Sequence, residues 1–161
     1  MAARTRNNAT TESAERDLVI TRIFDAPRGL VFKAWADPEH LAHWWGPTDF
    51  TLPSCTINFR TGGAYRFHMR SPEGADHWLR GVYREIVEPE RLVFTYAWED
   101  ADGRLGNETV VTVTFAEHGG KTRLTLHQAD FGSVELRDGH RAGWTSCLER
   151  FADSLATVAA A

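Results

Sequence analysis

No run in this sequence approaches the roughly 18 consecutive apolar residues that a membrane span requires. A basic strip is missing too: Lys and Arg number 18 against 22 Asp and Glu, a formal net charge of −4. The attraction to phosphate that dominates non-specific nucleic-acid binding is therefore absent, and neither nucleic acid nor membrane is expected as a partner. Residues 1 to 16 have no apolar central segment of a secretory signal and carry Glu12 and Glu15, so the expectation is a cytoplasmic protein. There are only two cysteines, Cys55 and Cys147, with no Cys-x-x-Cys, which argues against a zinc knuckle or a thioredoxin-type pair and predicts buried free thiols. No Gly-x-Ser-x-Gly elbow surrounds a serine, and Thr61-Gly62-Gly63 lacks the Gly-Lys-Ser/Thr of a phosphate-binding loop. Neither a nucleophile nor a cofactor is called for.

What the chain does contain is one core's worth of apolar residues, 42% of 161, in a composition that is ordinary for a globular protein. The Thr-, Asn- and Ala-rich residues 1–16 show no periodicity and read as a mobile tail, leaving 17–158 as the domain. Alternation from Leu18 predicts a strand, and Asp25-Ala26-Pro27 turns it into a helix carrying Leu30, Val31, Ala34 and Trp35. Asp37-Pro38 interrupts that helix and starts a second, Glu39 to Trp45, which Gly46-Pro47 ends. Six β-branched and aromatic runs follow, divided by Gly-, Pro- and Asp-rich turns: 50–59, 64–70, 77–87, 91–99, 107–117 and 122–128. Leu92, Phe94, Tyr96 and Trp98, then Val111, Val113 and Phe115, then Leu124 and Leu126 each share one strand face, whereas Thr112, Thr114 and Arg123 take the other. The apolar face needs a cover. Trp144, Leu148, Phe151, Leu155 and Val158 supply it on a helix beginning between Ser133 and Arg141. Gly139 and Gly143, a turn apart, are expected to let this helix approach another backbone closely.

The fold class is thus α+β: a curved antiparallel sheet, two short helices and a long C-terminal helix gripped by the sheet. The local sequence narrows it. Ile23-Phe24-Asp25-Ala26-Pro27, Leu41-Ala42-His43-Trp44-Trp45-Gly46-Pro47, Gly62-Gly63-Ala64-Tyr65-Arg66-Phe67 and the run from Gly81 to Tyr96 resemble, in order, the activator of Hsp90 ATPase homologue-like branch of the SRPBCC domains, within the START/Bet v 1-like superfamily. The resemblance implies the helix-grip fold and a cavity between sheet and long helix. The superfamily includes lipid, sterol and hormone carriers as well as polyketide cyclases, so the fold does not by itself carry a chemistry.

Several residues are candidates for that cavity. The aromatic set Trp44, Trp45, Phe67, Tyr83, Phe94, Tyr96, Trp98 and Trp144, with Val111, Val113 and Leu148, reads as the wall of an apolar pocket, plain core packing being the alternative. Tyr83, Tyr96 or His140 would orient a ligand of lipid, sterol or aromatic polyketide type. Glu108, His68, His127 and His140 are the candidates for acid/base work, His127 by alternation on the outer face. His40 and His43, three apart on the second helix, lack a third ligand at metal-binding spacing and read as a solvated face, so no metal is expected. The acidic loop 99–102 reads equally as a cation site or a solvated turn. Three functions remain open: ligand binding, a chaperone-associated interaction module, and a cyclase- or hydrolase-like enzyme using the same cavity. A homodimer through an edge strand is a reasonable expectation.

Overall fold

The computed structural model describes residues 16–160, with side chains as far as Ala156. All but residue 16 of the tail expected over 1–16, and the Val158 end of the helical stripe, lie outside the residues described with side chains. Within them the chain forms β1 (Leu18–Phe24), α1 (Arg28–Ala36), α2 (Pro38–Trp44), β2 (Thr51–Ile57), β3 (Ala64–Arg70), β4 (Asp76–Val87), β5 (Arg91–Trp98), β6 (Thr109–His118), β7 (Lys121–Ala129) and α3 (Val134–Ala160). The seven strands make one antiparallel sheet in the order β1-β7-β6-β5-β4-β3-β2. Neighbours in sequence are neighbours in space except at β1, which pairs Leu18 with Gln128 and Phe24 with Thr122. Among the described residues no helix is long and apolar enough to cross a membrane.

Local chemistry explains the boundaries. Pro27 is the N-cap of α1 rather than its first helical residue, in an extended conformation that a proline ring already favours. Asp37 caps α2 by accepting the Glu39 amide at 2.9 Å, and Pro38 takes the first position, where its missing N–H leaves no bond unmade. Pro53 sits within β2, a place open to it because β2 is an edge strand. Ser133 Oγ accepts the Leu136 amide at 3.2 Å and opens α3.

The inner sheet face and α3 enclose the core, and alternation holds: Leu92, Phe94, Tyr96, Val111, Val113, Phe115, Leu124 and Leu126 are all buried. The large exposed apolar residues of the outer face, Val19 and Ile23 on β1 and Val82 on β4, are separated by the three intervening strands β7, β6 and β5 and form no joined patch. Trp35 organises one half of the interior. Its ring packs on Trp44 at 4.8 Å, Trp144 at 6.0 Å and Phe115 at 6.3 Å, while Phe151 seats against both Trp44 and Phe24 at 4.5 and 5.0 Å. Removing a ring as completely buried as Trp44 would cost about 3–5 kcal/mol. The short helices therefore plug one half of the grip, and what is left open lies in the other half.

Candidate functional site

A cavity of about 460 Å³ occupies that open half, between the first four turns of α3, the end of β5 and the connection from α2 to β2. Each element contributes for a local reason. β5 alternates, so Tyr96 and Trp98 face inward together. On α3, Leu136, Gly139, His140, Gly143, Trp144 and Cys147 recur at three- and four-residue spacing along one face. The α2–β2 connection supplies Trp45, Gly46, Pro47 and Phe50. Gly46 adopts φ 97°, and a Cβ there would lie 2.9 Å from Met69 Cε and 3.2 Å from Phe50 Cβ, so this bend of the wall requires glycine.

Two sets of polar contacts fix the wall. Arg150 of α3 donates to the carbonyls of Pro47, Gly46 and Trp45 at 2.9, 3.0 and 3.3 Å, capping the end of α2 with a positive charge. Ser146 Oγ accepts the Thr48 amide at 2.9 Å just beyond. Deeper in, Trp144 Nε1–H donates to Gln128 Oε1 at 2.8 Å, Gln128 Nε2–H to Thr109 Oγ1 at 2.8 Å, and the Thr109 hydroxyl to the Tyr96 carbonyl at 2.9 Å. This buried chain ties α3 to β7, β6 and β5.

Three ionisable groups of the lining, His140, Cys147 and Tyr96, are held neutral. His140 Nδ1 lies 2.8 Å from the Leu136 carbonyl, which can only accept, so Nδ1 carries the proton. Nε2 then presents its lone pair to Trp98 Nε1–H at 3.1 Å. Burial lowers the His140 pKa below its ordinary value, opposed by the bond to Leu136. Burial also pushes the Cys147 thiol up to about 12 and raises the Tyr96 phenol well above the usual range, so both keep their protons. No hydrogen bond among the described residues engages the hydroxyl of Tyr96, a residue of the cavity lining.

Of the thirteen residues expected to line a pocket, the structure brings five to this cavity: Trp45, Tyr96, Trp98, His140 and Trp144. Phe67, Tyr83 and Phe94 instead surround a void of about 10 Å³ beside Trp35, room for a single water. The Trp35 indole N–H is buried there without a hydrogen-bond partner. Trp44, Val111, Val113 and Leu148 are core, with exposures of 0% each. Glu108 is exposed, because it falls outside the inward phase that Thr109 begins. The other acid/base candidates are also elsewhere: His68 stacks on Trp78 and bonds Asp76 at 2.8 Å, and His127 bonds Asp17 at 2.9 Å. The acidic loop is a closed turn in which Asp100 accepts the Asp102 and Arg104 amides, with Glu99 paired to Arg66. Among the described residues no group of three or more His, Cys, Asp or Glu is placed to hold a metal.

One expectation is corrected. Gly139 and Gly143 do not let α3 approach another backbone: a Cβ at Gly139 would meet nothing within 4 Å, and at Gly143 only Pro47 Cγ at 4.0 Å. Both line the cavity, and what their missing side chains provide is space. Reasoning from strand phase alone also missed Phe50, Met69, His77 and Leu136. The signal for the buried polar chain was present, since Thr109 and Gln128 stand in the same phase as Val111 and Leu126.

A curved antiparallel sheet closed on a long helix, with an apolar cavity at one end of the grip, defines a helix-grip protein of the START-like class, a fold that commonly binds hydrophobic ligands. Residues 25–156 match the family described as activator of Hsp90 ATPase homolog 1-like proteins, and the chain belongs to that family. Among solved structures, the AHSA1 protein of Silicibacter pomeroyi is 30% identical, over 88% of this chain and 98% of its own, with a TM-score of 0.80. A Chromobacterium violaceum protein is 27% identical over 86% and 96% of the two chains, TM-score 0.77, and one from Arthrobacter aurescens 26% over 88% and 86%, TM-score 0.78. No curated protein matches the chain.

Proposed function

We propose that this protein binds a small hydrophobic molecule in the cavity between the sheet and α3. The observation that carries this reading is the cavity itself: about 460 Å³ of space walled largely by aromatic rings. That volume falls in the range of small-molecule sites, and each Å² of apolar ligand surface removed from water gains roughly 25 cal/mol. The unengaged Tyr96 hydroxyl is the polar group that orients the ligand. His140 keeps Trp98 in place and has no free nitrogen for proton abstraction, which favours binding over an acid/base role.

The test is native mass spectrometry of the purified protein followed by a tryptophan-fluorescence titration with fatty acids, sterols, flavonoids and aromatic polyketides. A saturable quench that weakens at least tenfold in Trp98→Ala, with the far-UV spectrum unchanged, is the expected result. If no member of the panel binds, and nothing co-purifies, the reading falls and a protein partner becomes the object of search.

A further inference from the structure

The cavity rings form a belt. Trp45 meets Trp144 at 5.4 Å, Trp144 meets Tyr96 at 6.0 Å, Tyr96 meets Trp98 at 5.7 Å, Trp98 meets His77 at 6.3 Å, and His77 meets Phe50 at 6.0 Å. The belt returns on itself through Gly46, which follows Trp45 and packs against Phe50. All six rings line the one cavity. Successive members meet mostly at steep angles, 84° for Trp45 on Trp144, 89° for Tyr96 on Trp98 and 79° for His77 on Trp98, so neighbouring rings around the cavity are turned in different directions.

The charge of the lining is equally one-sided. It contains no Lys and no Arg, and Glu135, exposed on the first turn of α3, is its single carboxylate. The arginines of α3 are engaged elsewhere: Arg137 with Asp138, Arg141 with the Val19 carbonyl, and Arg150 with the carbonyls of 45–47. A carboxylate ligand would therefore leave water with no cation to receive it, at a substantial cost. An ammonium would find the negative faces of the rings, the oxygen of Tyr96 and the carboxylate of Glu135.

Building on the binding reading above, we infer that the ligand is an organic cation, a flat apolar body bearing an amine, and that the pocket discriminates against acids of the same shape. Three probes of one shape separate the charge from the body: 1-pyrenemethylamine, 1-pyrenemethanol and 1-pyrenecarboxylic acid, titrated at pH 8 with energy transfer from tryptophan to pyrene as the readout. The amine is expected to bind about fivefold tighter than the alcohol, and the acid more weakly than either. Glu135→Gln, at an exposed position, should reduce the amine's advantage over the alcohol about twofold. Equal binding of amine and alcohol, or tighter binding of the acid, overturns the charge assignment while leaving the cavity a ligand site. If none of the three binds, this inference fails, while the binding reading stands or falls on the ligand panel above.

Discussion

Replacing Gln128 by leucine tests whether the buried chain from Trp144 to Tyr96 holds the pocket wall. Gln128 is 0% exposed and receives the Trp144 indole N–H, which is itself buried. In Gln128→Leu that donor loses its acceptor. Thr109 keeps its bond to the Tyr96 carbonyl and loses only an incoming one. One orphaned donor costs about 1–3 kcal/mol, partly offset because leucine is the more apolar side chain. A net loss near 2 kcal/mol corresponds to a Tm about 4–8 °C lower in a chain of this size. The offset makes the single variant ambiguous, so the decisive quantity is the coupling in a double-mutant cycle with Trp144→Phe, which has no N–H to orphan. Urea unfolding followed by far-UV circular dichroism, which does not depend on Trp144 fluorescence, should give Gln128→Leu a cost at least 1 kcal/mol smaller in the Trp144→Phe background. A coupling below about 0.5 kcal/mol would refute the account, meaning the indole finds another acceptor or the chain contributes nothing.

Three further outcomes are expected. Gly139→Ala places a methyl where nothing lies within 4 Å, so it should stabilise α3 by about 1 kcal/mol, read as a higher Tm, while narrowing the cavity and weakening ligand binding in the fluorescence titration. Arg150→Lys retains the charge but loses the planar fork whose Nη1 donates to the carbonyls of 45–47 and whose Nη2 donates to that of His43, and calorimetry should show a loss of about 1–3 kcal/mol. His140 has a folded pKa below the ordinary imidazole value of about 6.5, so between those two values the unfolded chain binds its proton first. Its contribution is therefore complete above about pH 6.5 and is lost as pH falls from there toward the folded pKa, and His140→Gln should flatten this part of the stability profile measured by denaturant titration.

The fold was largely legible because its signals are local. Asp37-Pro38 stops one helix and caps the next, paired glycines and Asp-Gly turns divide the strands, and the two-residue period of Leu92 to Trp98 names the buried face. The site was legible only in part, since strand phase says which face a residue occupies and nothing about where along the grip it lies. Phe94 and Tyr96 share a face, but Phe94 packs toward the plug around Trp35 and Tyr96 toward the open half. That division is set by α1 and α2 folding into one end, a contact between segments some 80 residues apart: Phe32 against Phe115. Glu108 was misplaced by a single residue of phase, and the glycines of α3 were read as contact points because sequence cannot tell a missing side chain that admits a neighbour from one that leaves a hole.

The pairing of β1 with β7 has a consequence for synthesis. On a ribosome adding roughly 5–20 residues per second, some 5–20 s pass between the emergence of Leu18 and that of its partner Gln128. Through that interval β2 to β6 can zip in succession, each hairpin closing on the one before, while the opening strand waits with Leu18 and Phe24 unsheltered. Registration of β1 is then the stitch that closes the garment, and the helix that supplies Glu135 to Cys147 of the cavity wall emerges only after it.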